Sequence, residues 1–138
     1  MRLFLDASVL LAAAGSRDGS SRALFSCAAT HGWVLVSSPY ALSEVLRNLP
    51  KLPTDATGEG GRLRPQVTVV DDVVSIDRPV ILAASKDRPI LFTALAWADV
   101  LLTLDRVDFA NVLGGTFYGL EVLLPYHFLE RERASGRF

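Results

Sequence analysis

Cysteine is nearly absent from this 138-residue chain. Cys27 stands alone, so no internal disulfide can form and the fold must hold by packing. A lone thiol suits a reducing compartment, and a cytoplasmic location is expected. Long apolar runs are also missing. The widest candidates are broken by Asp or Arg, which predicts no membrane span and no membrane partner. Arg2 is followed by only three apolar residues before Asp6, so no signal peptide is expected. An excess of either charge is absent as well. A net charge of −1 argues against a general nucleic-acid coat protein. It still allows an enzyme that gathers acids in a site and keeps arginines at its rim. No Gly-x-x-x-x-Gly-Lys-Ser/Thr loop occurs, which speaks against a P-loop nucleotidase, and the glycines at 58–61 follow no strand.

What is present suits one packed domain over residues 1–138, large enough to bury about two-thirds of its unfolded surface. Residues 3–5 form a short apolar strand, and residues 7–14 read as a helix stopping near Gly15. Ser20 or Ser21 can cap a second helix running to about Thr30. Residues 33–36 are a continuous apolar strand of the kind buried on both faces in a parallel sheet. Ser38 then Pro39 is a cap followed by a first-turn proline, opening a helix through Leu49. The breaker-rich stretch 50–65 predicts loop or short irregular helix, and 66–70 a third strand. Helices are expected at 79–85 and 89–97, and a strand at 99–104. A short fifth strand is expected within 117–124, and a charged helix from Pro125 to Arg133. Strands alternating with helices predict an α/β fold, a three-layer α/β/α sandwich around a mostly parallel sheet of four to five strands.

Acids recur where such strands and helices meet. Asp6 ends the first strand, Glu44 lies in the third helix, Asp87 precedes a helix, and Asp105 follows the fourth strand. Open α/β sheets place their ligand crevice at the carboxyl ends of the strands. Carboxylates gathered there would repel one another unless a divalent cation sat among them. Each acid also has an ordinary explanation. Asp6 and Asp87 could cap helices, and Glu44 could be an exposed helix residue. Asp99 is read as structural, at the start of its strand.

Several segments, in order, resemble the PIN domain, a metal-dependent ribonuclease fold common in VapC-like bacterial toxins. Leu3-Phe4-Leu5-Asp6-Ala7-Ser8-Val9-Leu10-Leu11 is similar to its opening strand and helix. The run from Val36 through Ser38-Pro39 to Glu44-Val45 resembles the segment delivering its glutamate. Lys86-Asp87-Arg88-Pro89, leading to Trp97-Ala98-Asp99, resembles the helix with its third acid. Leu102-Thr103-Leu104-Asp105, with the trailing Asp108-Phe109, is similar to its Thr-x-Asp motif. Gly119 to Pro125, with Phe128-Leu129, resembles its last strand and helix. Under this resemblance Asp6, Glu44, Asp87 and Asp105 are the catalytic, metal-holding acids. Thr103, Ser8 and Asp108 support them. Stretch 50–65 departs from relatives that carry longer helices there.

The resemblance implies an Mg²⁺- or Mn²⁺-dependent endoribonuclease acting on single-stranded or looped RNA. Both are hard cations that take oxygen ligands and keep several waters. No histidine stands among the candidates, which fits metal-activated water better than imidazole catalysis. Arg47, Lys51 and Arg106 lie near the acids in sequence and are candidate phosphate contacts. The resemblance further implies the toxin of a toxin–antitoxin pair, with a cognate antitoxin covering the cleft and a homodimeric assembly. The competing reading is a non-catalytic PIN-fold module that binds RNA or serves as a scaffold. A nuclease acting on DNA or structured RNA outside any toxin system is a third.

Overall fold

The computed structural model describes residues 1–53, 55–74 and 88–136. The helix expected at 79–85 and the acid Asp87 lie outside the described residues. Strand β1 (Arg2–Leu5) leads into helix α1 (Ala7–Gly15) and then α2 (Ser20–His31). Strand β2 (Val34–Ser37), helix α3 (Pro39–Asn48), helix α4 (Ala56–Leu63) and strand β3 (Thr68–Val69) follow. Helix α5 (Arg88–Trp97), β4 (Val100–Leu102), the β5 (Thr116–Phe117) and β6 (Leu120–Leu123) pair, and α6 (Pro125–Ala134) complete the order. The sheet runs β3-β2-β1-β4-β6-β5, parallel throughout except for β5. The fold is therefore α/β, as the alternation of elements predicts, with a mostly parallel sheet between helical layers that has six strands where four to five are expected.

Side-chain alternation along the strands builds the two layers. Leu3, Leu5, Leu35, Val100 and Leu102 point to one face, where they meet Leu10, Leu24, Phe25 and Phe128 of α1, α2 and α6. Phe4, Val36, Leu101 and Val122 point to the other and meet Ile90, Leu91, Phe92 and Ala94 of α5. Helix α3 serves both cores: Ala41 joins the second, while Leu42 and Val45 pack against the first. Its entry is set locally. Ser38 is the N-cap, its hydroxyl accepting from the Ala41 N–H at 3.3 Å, and Pro39 takes the first turn.

Two departures from the expected elements have clear causes. Stretch 50–65 contains a genuine helix, α4, despite Gly58, Gly60 and Gly61. A Cβ at Gly60 would sit 3.1 Å from the Leu49 side chain, so glycine is what lets α4 press onto its neighbours. The strand expected within 117–124 is β6, and it is joined by one more, β5, in a hairpin. Tyr118 and Gly119 turn it with φ values of 50° and 88°. That left-handed pair matches the turn geometry favoured by two-residue hairpins, and the extra edge strand it creates is the sixth.

Candidate functional site

The strand order reverses between β1 and β4. The chain moves outward from β1 to β2 and β3, then returns to place β4 on the other side of β1. Such a switch point leaves a crevice outside the carboxyl ends of the two strands, because the chain leaves β1 into α1 and leaves β4 into a separate turn-rich loop. Asp6 directly follows β1 and Thr103 directly follows β4. Parallel pairing of Leu5 with Leu102 brings those exits side by side.

Asp6 is 6% exposed and caps α1, its Oδ1 accepting from the Ala7 N–H at 2.8 Å. Its other oxygen takes two hydroxyl donors, Thr103 Oγ1 at 2.7 Å and Ser8 Oγ at 3.2 Å. Each hydroxyl carries one proton and spends it on Asp6, so its lone pairs are free to accept. Thr103 Oγ1 accepts from the Asp105 N–H at 3.0 Å, and Ser8 Oγ accepts from the Leu104 N–H, also at 3.0 Å. Two hydroxyls thus tie the Asp6 carboxyl to the backbone leaving β4. The loop then folds around Asp105, whose Oδ1 accepts from the N–H groups of Asp108 at 2.8 Å and Val107 at 3.2 Å. This is a local turn that Asp forms readily.

Asp6, Glu44, Asp105 and Asp108 line one cleft of about 60 Å³, together with Tyr40, Ile90 and Phe109. Three of the four acids expected to hold metal therefore share a cleft, with Asp108 beside them, while Asp87 falls outside the described residues. Asp99 lies at the opposite end of β4, where its Oδ2 accepts from the Arg2 N–H at 2.7 Å, a structural role as expected. Arg47 and Arg106 are exposed, and Lys51 Nζ donates to Asn48 Oδ1 at 3.3 Å. Sequence reasoning passed over Tyr40. The available signal was its position four residues before Glu44, which places both on one side of α3.

Burial pushes the Asp6 carboxyl above its ordinary pKa. Hydrogen bonds from Thr103, Ala7 and Ser8 oppose this, and the nearby Asp105 charge adds to it. The donors around Asp6 favour an anion, and among the described residues none of the influences that shift its carboxyl is a positive charge. A divalent cation would supply that charge, and the donor set of carboxylates and hydroxyls is the hard oxygen type that Mg²⁺ and Mn²⁺ prefer. Among the described residues, no three His, Cys, Asp or Glu side chains gather closely enough to hold one ion. Magnesium sites commonly use one or two carboxylates and fill the rest of the shell with water, so the residues present fit that kind of site.

Compared with known proteins, the chain matches no family model and no curated protein. Among the described residues, no helix is long and apolar enough to cross a membrane.

Proposed function

We propose that this chain is a PIN-like, Mg²⁺- or Mn²⁺-dependent endoribonuclease. The observation that carries this reading is the cleft at the β1–β4 switch point, where Asp6, Glu44, Asp105 and Asp108 face one small volume. A resident cation would be held by Asp6 and Asp105, with Glu44, Asp108 and Asp87 completing the acidic set. When bound, such an ion supplies positive charge at a phosphodiester and makes a nearby water more acidic.

The chain's own residues prepare the site. Thr103 and Ser8 fix the Asp6 carboxyl by two hydrogen bonds, so its oxygens do not need to reorganise when charge develops. The turn around Asp105 holds that side chain through two backbone donors. Arg47, Lys51 and Arg106 contact the phosphates that flank the cut bond and offset the repulsion of an acidic cleft. The substrate is single-stranded or looped RNA, and the cell setting is a cytoplasmic toxin that forms homodimers and is covered by a cognate antitoxin.

One observation favours a second reading, a non-catalytic module that binds RNA or scaffolds: no three acids gather around a single point among the described residues. Calorimetric titration of Mn²⁺ and Mg²⁺ into the wild type and Asp6→Asn, followed by assays on matched RNA and DNA oligonucleotides, separates the readings. Metal binding lost in Asp6→Asn together with RNA cleavage supports the nuclease. RNA binding with neither metal uptake nor cleavage leaves the module, and cleavage of DNA in preference to RNA replaces the substrate class.

A further inference from the structure

The acidic cleft is too small for the whole of its expected substrate. About 60 Å³ accommodates a few waters or a phosphate-sized group, but not a nucleobase. The bases on either side of the reacting phosphate must therefore lie on the cleft's rim. Two aromatic residues line the cleft, and they differ in what they can offer. Phe109 is 3% exposed and spends its ring on the core. Tyr40 is half-buried, packed on one side against the second core and open on the other.

Tyr40 is also held in place. It follows the Ser38 cap and Pro39, whose fixed φ sets the first turn of α3. Its N–H donates to Asp72 Oδ1 at 3.2 Å, and its carbonyl accepts from Ser43 Oγ at 2.7 Å. A ring with only two side-chain torsions on a backbone held this way loses little entropy when a flat partner covers it. Spacing along α3 adds a direction. Tyr40, Glu44 and Arg47 lie four and three residues apart on one helix side, with Lys51 in the turn beyond. At 1.5 Å per residue, Tyr40 and Arg47 stand about 10 Å apart along the axis. The order is an aromatic, then an acid at the cleft, then two cations that suit a phosphate backbone leaving it.

We propose that Tyr40 is a stacking platform for one base of single-stranded RNA beside the phosphate held in the cleft, with Arg47 and Lys51 tracking the adjoining backbone. This rests on the nuclease reading for its choice of ligand. Duplex RNA cannot use the platform, because its bases are already stacked on one another.

The test is binding of short RNA oligonucleotides carrying 2-aminopurine at successive positions, measured in EDTA so that nothing is cut. The wild type should quench the probe strongly at one position and bind the matched duplex weakly. Tyr40→Leu should lose that quench and bind about tenfold more weakly, in the range that one stacked base contributes, whereas Tyr40→Phe should retain most of both. Replacing the quenched nucleotide with an abasic one should weaken the wild type by a similar factor and leave Tyr40→Leu unchanged. That arm holds even if a substitution disturbs the fold. A wild type that ignores the abasic site, that shows no position-specific quench, or that binds duplex as well as single strand overturns the proposal. RNA binding with quenching but no cleavage in added Mn²⁺ would sink the nuclease reading and keep the platform. Cleavage with Tyr40→Leu indistinguishable from wild type in binding would do the reverse.

Discussion

Thr103 Oγ1 donates a 2.7 Å hydrogen bond to Asp6 Oδ2 across 97 residues of chain, and both residues are buried. The same hydroxyl accepts the Asp105 N–H, so one atom positions two acids of the cleft. Thr103→Val keeps the shape and removes both bonds. The Asp105 N–H would then lack its partner and Asp6 Oδ2 would keep Ser8 alone, at a cost of about 1–3 kcal/mol. Denaturant unfolding should show that loss for Thr103→Val and much less for Thr103→Ser. Mn²⁺ affinity should fall in the valine variant by about 10–100-fold, the usual effect of removing a group that orients a metal ligand.

Asp6→Asn asks whether the buried carboxyl is there for stability or for binding. Burial disfavours its charge, so without metal the neutral amide should leave the fold at neutral pH as stable as the wild type or more stable. With Mn²⁺ at about 100 times its dissociation constant, the wild type should gain roughly 2.7 kcal/mol and the variant nothing. Thermal unfolding of both proteins with and without metal reads this directly. A variant destabilised in both conditions would mean that the bonds from Thr103 and Ser8 to the carboxylate stabilise the fold by more than its burial costs.

Much of the fold was legible because its signals are local and mutually consistent. β1, β2 and α3 follow from apolar runs and from the Ser38–Pro39 opening. Asp6 and Asp105 were readable because they sit where strands end, and Glu44 because its helix has a clear start. Where tertiary contacts override local preference, the sequence was silent. Three glycines in 56–63 signal a break, and the helix forms because tertiary contacts hold it, among them the packing of Gly60 on Leu49 and the ion pairs of Glu59. Tyr118 is an unusual residue at a left-handed turn position, which hid the hairpin. Tyr40 escaped because reading for acids ignores what shares their helix face.

Asp108 presents a separate prediction. The sequence resemblance implies a supporting acid at this position, and Asp108 lines the cleft. Its N–H is tied to Asp105, and that part of the loop geometry survives a side-chain change. Asp108→Asn should therefore leave the unfolding midpoint within the small range of surface substitutions, about 0.5 kcal/mol, while Mn²⁺ affinity drops. Equal metal affinity in calorimetry would remove Asp108 from the acidic set.

The pH dependence of Asp6 has a defined sign. Its folded pKa lies above the ordinary carboxyl value of 3.8, so between those values the folded state binds more protons than the unfolded chain. The contribution is therefore fully present below the unfolded pKa and is lost as pH rises through the folded one. In EDTA, the stability of the wild type relative to Asp6→Asn should fall as pH climbs through that window. Adding Mn²⁺ should reverse the slope, since a cation favours the ionised carboxyl. Denaturant titrations of both proteins across acid to neutral pH measure it, and parallel curves would show that Asp6 titrates alike in both states.

Glu59 should behave in the opposite way. Burial works to raise its pKa, but Arg17, at 2.8 Å, and then Arg22, at 3.1 Å, outweigh it and hold the carboxyl below its ordinary value. Arg62 adds a weaker contact at 3.7 Å. Glu59 lies in α4, Arg22 in α2, and Arg17 in the turn between α1 and α2, so the cluster fastens the glycine-bearing helix to its neighbours. A lowered folded pKa contributes stability above the unfolded value and loses it as pH falls through the folded one. Glu59→Gln keeps the size and removes the charge that three guanidinium groups face. It should lower the unfolding midpoint at neutral pH, and the gap to wild type should close as acid protonates the native glutamate. The cleft is formed by other elements, so Mn²⁺ affinity should be unchanged. A Glu59→Gln protein as stable as wild type at pH 7 would mean that α4 is held by the Gly60–Leu49 contact and its apolar neighbours alone.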